Sequence, residues 1–216
     1  EIAKLRLFLK MVAVVEVDRR APNLGLDPLP DIDFNIRSGN TLVGYATEDE
    51  IVAGLGADLF TQQEFRERVE TEMQKVSKAY DIFRTQQLAD HDDLESVKTA
   101  KIELKERLTR LTNLLDRQLF SATGGTSFEA WEKTHQPFHW IAEYYQIMHD
   151  QGGFDVIIGN PPYLEKRQIN YSVDNYACLD SNAVHAYCIE RSLSLLNKRG
   201  NISMIVPLAI VCTQRM

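Results

Sequence analysis

The 216-residue chain has no excess of positive charge: 24 Lys and Arg stand against 31 Asp and Glu, giving a formal charge of −7 and an isoelectric point near 5.3. A surface that coats nucleic acid over its whole extent is therefore excluded, and a DNA partner would take most of its phosphate contacts from elsewhere. Cysteine is scarce. Cys178, Cys188 and Cys212 are odd in number and lack CxxC spacing, which fits reduced packing thiols better than a disulfide framework or a zinc site. No run of about 18 uninterrupted apolar residues occurs, and the N-terminus lacks a charged region followed by an apolar one. Neither a membrane span nor a secretion signal is supported, so the expected location is the cytoplasm. Glycine and proline are missing from residues 61–119, so nothing there interrupts a helix.

What is present divides the chain into three parts: 1–59, 60–120 and 121–216. The first opens with Glu1 inside a helical pattern, Ile2, Leu5, Leu9 and Val12 recurring at helical spacing, which implies that something precedes it. "DRRAPNLGLDPLPDIDF" then reads as an irregular connection, and Thr41, Leu42 and Val43 as a short strand or its end. In the second part, Val69, Met73, Val76, Tyr80 and Phe83 form one stripe, and Leu94, Val97, Leu104, Leu108, Leu111 and Leu115 another. "ADHDD" between them is a turn and N-cap signal, so an antiparallel helical hairpin is predicted. "SATGGTS" closes it, and a proline-broken helical pattern with two tryptophans leads into the third part.

That third part contains "FDVIIGNPPYLEK", residues 154–166. Phe154–Ile158 reads as a strand, followed after about twenty residues by a helix near 183–197 with Ala186, Ile189, Leu193 and Leu196 on one face. Gly200 ends that helix, and Ile202, Met204, Ile205 and Val206 form the next strand, bounded by Pro207; the chain is expected to continue beyond it. The unit is β-α-β with parallel strands, and in open α/β sheets ligands gather at the carboxyl ends of strands, where Asn160–Tyr163 would project.

The residue types in that turn suit one chemistry. Prolines lack an N–H and hold their predecessors out of the helical region, so the turn is stiff and offers carbonyl oxygens without competing donors. The Asn160 side-chain oxygen and the Pro161 carbonyl can together accept both hydrogens of one exocyclic amine, drawing its nitrogen from flat toward pyramidal and freeing the lone pair. Tyr163 can stack on the aromatic ring bearing that amine and repay part of the cost of taking a base out of a duplex. No general base is required, because the proton can leave after the nitrogen has gained its methyl group.

"FDVIIGNPPY" resembles the catalytic motif of S-adenosylmethionine-dependent N6-adenine DNA methyltransferases, and its surroundings resemble the methyltransferase region of type IIG restriction–modification enzymes and their phage-defence relatives. "EIAKLRLFLKMV" looks like the helix after that family's ribose-binding strand, "LPDIDFNIRSGNTLVG" like the segment closing over the cofactor's adenine, and "QPFHW" like the approach to the catalytic strand. "HAYCIERSLSLLNKRGNISMIVP" is similar to the helix and strand that follow. The resemblance implies an α/β chain, a partial Rossmann-like methyltransferase fold with parallel strands plus the inserted hairpin. It further implies that Asn160 and Pro161 hold the target amine, Pro162 shapes the turn and Tyr163 stacks on a flipped adenine of double-stranded DNA. Asn40 stands where relatives often carry an acidic residue facing the cofactor's adenine, and because an amide can still hydrogen-bond there the resemblance makes Asn40 the expected cofactor-binding residue. The family's glycine-rich cofactor loop would lie before residue 1; "GLG" at 54–56 is no substitute, and the chain alone is expected to be inactive.

Two other readings remain at this stage. A glutamine side-chain amide presents a similar planar NH2, as in protein-glutamine N-methyltransferases, and the hairpin could instead serve a non-enzymatic interaction module. The second leaves the proline-locked turn unexplained. His135 and His139 have the spacing of a helical metal pair, but Pro137 between them favours a structural reading and no metal site. Lys166 and Arg167 could touch phosphate, although exposed charges usually serve only solvation.

Overall fold

The computed structural model describes residues 2–16, 19–20, 34–55, 59–88, 94–173 and 175–212. Its helices are α1 (Ile2–Ala13), α2 (Glu48–Ala53), α3 (Leu59–Leu88), α4 (Leu94–Ser121), α5 (Phe128–His135), α6 (Trp140–Glu143), α7 (Val184–Leu195) and α8 (Ala209–Cys212). Two parallel strands, β1 (Phe154–Gly159) and β2 (Leu196–Met204), pair regularly from Val156↔Asn201 to Gly159↔Met204. The expected strand–helix–strand order is present. Most of the expected "DRRAPNLGLDPLPDIDF" connection and the whole "ADHDD" turn lie outside the described residues.

The stripes in α3 and α4 meet each other. Val69, Met73, Val76 and Phe83 are buried together with Leu104, Leu108, Leu111 and Leu115 in one cluster. Five residues separate the two helices, a span of at most about 18 Å, whereas α4 is about 42 Å long at 1.5 Å per residue, so helices that pack along their length across so short a link run in opposite directions. The cluster continues into Tyr45, Ile51, Ile141 and Ala142, which anchors the helical pair to the segments on either side of it.

Those flanking segments are close in space although some 90 residues lie between them. Asn40 N–H donates to the Gln136 carbonyl at 2.8 Å, and Phe138 N–H to the Val43 carbonyl at 2.7 Å. Gly44 makes the approach possible: at φ +117°, a side chain there would collide with the Phe138 backbone.

Three local expectations are corrected. Thr41–Val43 is a turn, not a strand, because Asn40 closes it from both ends: its carbonyl accepts Val43 N–H at 3.0 Å and its Oδ1 accepts Leu42 N–H at 3.1 Å. The helix before β2 ends at Leu195 rather than Gly200, and Gly200 lies inside a strand that is bulged before its regular pairing begins. The buried face of α7 is Val184, Tyr187, Cys188, Arg191 and Leu195, while Leu193 is exposed. That face escaped the apolar pattern because it contains an arginine.

Arg191 is buried because every part of its guanidinium is used. Nη1 donates to both Glu50 carboxylate oxygens at 2.6 and 2.9 Å, Nη2 to the Gly44 carbonyl at 3.3 Å and Nε to the Tyr176 hydroxyl at 3.1 Å. Tyr176 in turn donates to the Leu42 carbonyl at 2.9 Å. One side chain of α7 therefore fixes the whole 42–50 loop, and Glu50 is itself set by the first turn of α2, where Thr47 caps its N–H.

A second polar pin lies on the opposite side of that loop. His139, fully buried, accepts Tyr45 N–H on Nδ1 at 3.0 Å, which puts its proton on Nε2, and Nε2 donates to Asp116 Oδ1 of α4 at 2.9 Å. Pro137 separates α5 from α6, so His135 and His139 do not share a helix, and His139 is a structural link between the helical pair and the loop. Among the described residues, no helix is long and apolar enough to cross a membrane.

Candidate active site

β1 ends at Gly159, whose carbonyl accepts Ile205 N–H at 3.0 Å, and the chain then enters Asn160–Pro161–Pro162–Tyr163 without regular structure. Pro161 is buried, whereas Asn160, Pro162 and Tyr163 are exposed. The turn is tied down on its far side: Val184 N–H donates to the Leu164 carbonyl at 2.9 Å, Lys166 N–H to the Asn182 carbonyl at 2.8 Å, and Glu165 bridges Ala183. The residues just after the turn are thus clamped to the start of α7. With β1 at one end, this clamp at the other and two prolines between, little backbone freedom is left.

Within the turn, the Tyr163 hydroxyl lies 2.9 Å from the Ile205 carbonyl and 3.1 Å from Asn160 Oδ1. The hydroxyl hydrogen is shared between these two acceptors, and the asparagine oxygen, with two lone pairs, keeps one for a further donor. The Tyr163 ring is 53 % exposed, with its carbons available to a flat partner.

Beside the turn lies a cleft of about 440 Å³, lined by Asn160, Pro161 and Pro162, by Thr41 and Trp140, and by Cys188 and Ser192 of α7. Its size and mostly apolar lining suit a small heteroaromatic ligand. Burial holds the Cys188 thiol up to about 11, so it is protonated at neutral pH and serves as an apolar wall rather than a nucleophile. Thr41 reaches the cleft because Trp140 Nε1 donates to its carbonyl at 3.4 Å and because the 42–50 loop is pinned as described.

Of the residues predicted from sequence, Asn160, Pro161 and Pro162 share this cleft and Tyr163 stands next to them. Asn40 does not. It lines a neighbouring polar cleft of about 520 Å³ with Lys133, His135 and Tyr171, and its side chain is bound to Leu42 N–H and to Tyr171. Lys166 and Arg167 sit in a short 3₁₀ turn just past the site, where Arg167 Nε pairs with Glu165 at 2.7 Å in an exposed contact. Sequence reasoning covered the stretches that hold Thr41, Trp140, Cys188 and Ile205 but assigned none of these residues to the site, since their place beside the turn is set only by the fold.

A proline-stiffened acceptor turn at the carboxyl end of a parallel strand, facing an apolar cleft, stands where α/β chains place their ligands. Residues 1–214 match the model of the Eco57I restriction-modification methylase family, and the chain belongs to that family. It is also similar to a protein of Methanocaldococcus jannaschii named as a type II restriction enzyme and methyltransferase, at 29% identity over 260 residues. That match takes in 96% of this chain but 21% of the relative, so the chain spans about a fifth of that protein's length. No solved structure matches the chain significantly.

Proposed function

We propose that this chain is the catalytic segment of an adenine-specific DNA methyltransferase, acting on N6 of an adenine turned out of double-stranded DNA. The observation that carries the reading is the exposed Asn160, whose side-chain oxygen keeps a lone pair beyond its 3.1 Å contact with the Tyr163 hydroxyl, on a turn held rigid at both ends beside a half-exposed tyrosine. Asn160 Oδ1 and the Pro161 carbonyl take the two amine hydrogens; Pro162 fixes the bend; Tyr163 stacks on the base. An exposed ring favours adenine over a glutamine amide, which has no aromatic face to stack. Residues 1–59 and 121–216 form the methyltransferase portion in this reading, with 60–120 inserted as a helical pair.

S-adenosylmethionine supplies the electrophilic methyl group when bound. The cleft fits its adenine moiety in size and apolar character, with Thr41, Trp140, Pro161, Cys188 and Ser192 as walls. Asn40 contributes by shaping the loop that presents Thr41 on this donor side. The chain's own residues orient the amine and keep its lone pair available, and no side-chain base is needed before the methyl is gained.

The test is methyl incorporation by the full-length protein from labelled donor, with the modified product identified chemically. N6-methyladenine in duplex DNA is the expected product, and Asn160→Ala lowers turnover by about 10²-fold or more, the usual scale for losing one preorganised acceptor or donor, with DNA affinity nearly unchanged. Label in protein glutamine instead of DNA would overturn the reading.

A further inference from the structure

Both ring nitrogens of His185 are buried and make no hydrogen bond among the described residues, and the side chain stands in the first turn of α7, where the residue is 5 % exposed. An unsatisfied buried imidazole is costly, so its retention asks for a reason. Its aromatic neighbour is the turn: the Tyr163 ring lies edge-on to it, with centroids 6.3 Å apart and planes at 86°. Asn182 and Val184, which lead into His185, are the residues that clamp Lys166 and Leu164, so the imidazole and the tyrosine are carried by the two sides of one small antiparallel clasp.

We infer that His185 is a positioning residue for Tyr163: its ring walls one side of the tyrosine and, with the hydroxyl tether to Ile205, fixes the plane in which an extrahelical base stacks. Two contacts of different kinds define a plane that neither defines alone. The hydroxyl tether holds the para end of the ring at 2.9 Å but leaves it free to rotate about the ring's long axis. The imidazole, packed perpendicular to the ring, removes that rotation, since perpendicular aromatic pairs have a preferred geometry. Burial lowers the imidazole's pKa from its ordinary value, and the positive end of α7 acts in the same direction. The wall is thus neutral, with no cation set beside an amine that becomes positively charged. The property in use is the shape of the ring, not its nitrogens.

This inference rests on the adenine-methylation reading, and the experiment separates the two. The full-length enzyme is first assayed for N6-methyladenine, and mapping of its product locates the target base; a wild-type enzyme that leaves DNA unmethylated sinks the underlying reading and this inference with it. Given wild-type activity, His185→Phe keeps a flat wall and retains kcat within about threefold. His185→Leu and His185→Gln remove the ring and lower kcat by about tenfold, the upper end of what an aromatic pair contributes, with KM for DNA within about twofold. A duplex carrying 2-aminopurine at the mapped position gives brighter emission with the Leu and Gln variants than with wild type, because a base seated less firmly on Tyr163 is quenched less. The Gln variant carries the comparison if Leu does not fold. Wild-type turnover in both ring-less variants would show that His185 only fills space, and a Phe variant as impaired as Leu would show that the nitrogens matter; either result overturns the positioning role.

Discussion

The helical pair and the segment around the turn are both well packed, yet different forces hold them. Between α3 and α4 the contacts are apolar and repeat at helical spacing, with Leu104, Leu111 and Leu115 fully buried, while charged pairs such as Arg107–Glu103 stay on the outside. Around the turn the decisive contacts are polar and come from distant parts of the chain: Arg191 to Glu50, Tyr176 to Leu42, His139 to Asp116 and Tyr45. A hydrophobic stripe tolerates small sliding. A fork of charge-assisted hydrogen bonds does not, and a site that must hold two acceptors and a ring in register has the second kind of support.

The sharpest way to break this comparison is at Leu111. Leu111→Ala leaves a cavity between the two helices and should cost about 3–4 kcal/mol. Hydrogen exchange would localise the loss: faster opening in α3 and α4, with amides of β1 and β2 unchanged. Equal loosening of the strands would mean that the helical pair and the site form one cooperative unit, and that the contrast between them is false.

The same contrast explains what could be read from sequence. The stripes of α3 and α4 were legible because apolar side chains at a fixed period announce their face, and the β1 turn was legible because two prolines after an apolar run have few other uses. The face of α7 was not legible. Ala186, Ile189, Leu193 and Leu196 make an apolar set, but the buried face runs through Val184, Tyr187, Cys188, Arg191 and Leu195, and an arginine at its centre reads as solvent until Glu50, 141 residues away, is known to meet it. Asn40 belonged to a recognisable stretch, but the bonds of its amide to Leu42 N–H and Tyr171, and the arrival of its neighbour Thr41 at the cleft, could not be read there. His185 opens another recognisable stretch, but nothing in the sequence singled it out, since its place beside one tyrosine ring appears only in the fold.

Arg191 offers the complementary test. Arg191→Leu preserves much of the bulk but strands Glu50, leaves the Gly44 carbonyl without its donor and removes the donor to the Tyr176 hydroxyl, so it should cost about 2–4 kcal/mol, somewhat less than the about 3–5 kcal/mol usual for breaking a buried pair because Glu50 is partly exposed and can be rehydrated. The expected signature is inverse to that of Leu111→Ala: protection is lost in α2 and the 42–50 loop, the helical pair is unaffected, and donor binding weakens as Thr41 leaves the cleft wall. Unchanged donor affinity in a folded variant would mean that the loop keeps its place without the fork.

The smallest effect is expected at Tyr163, where the comparison is finest. Tyr163→Phe keeps the stacking face and the edge contact with His185 and removes only the hydroxyl that spans Ile205 and Asn160. The lost hydrogen bond is exposed and is worth about 0.5–1.5 kcal/mol, so methyl transfer should fall by about two- to tenfold. Tyr163→Ala should lose more, because stacking itself contributes about 1–3 kcal/mol per base. Single-turnover rates separate the two, since loss of orientation lowers the chemical step whereas loss of stacking also weakens retention of the flipped base. If Phe and Ala were equally impaired, the hydroxyl would be the working group and the ring only its carrier; if Phe matched wild type in every phase, the tether to Ile205 would have no part in orienting the base, and rigidity in this turn would come from its prolines and its clasp alone.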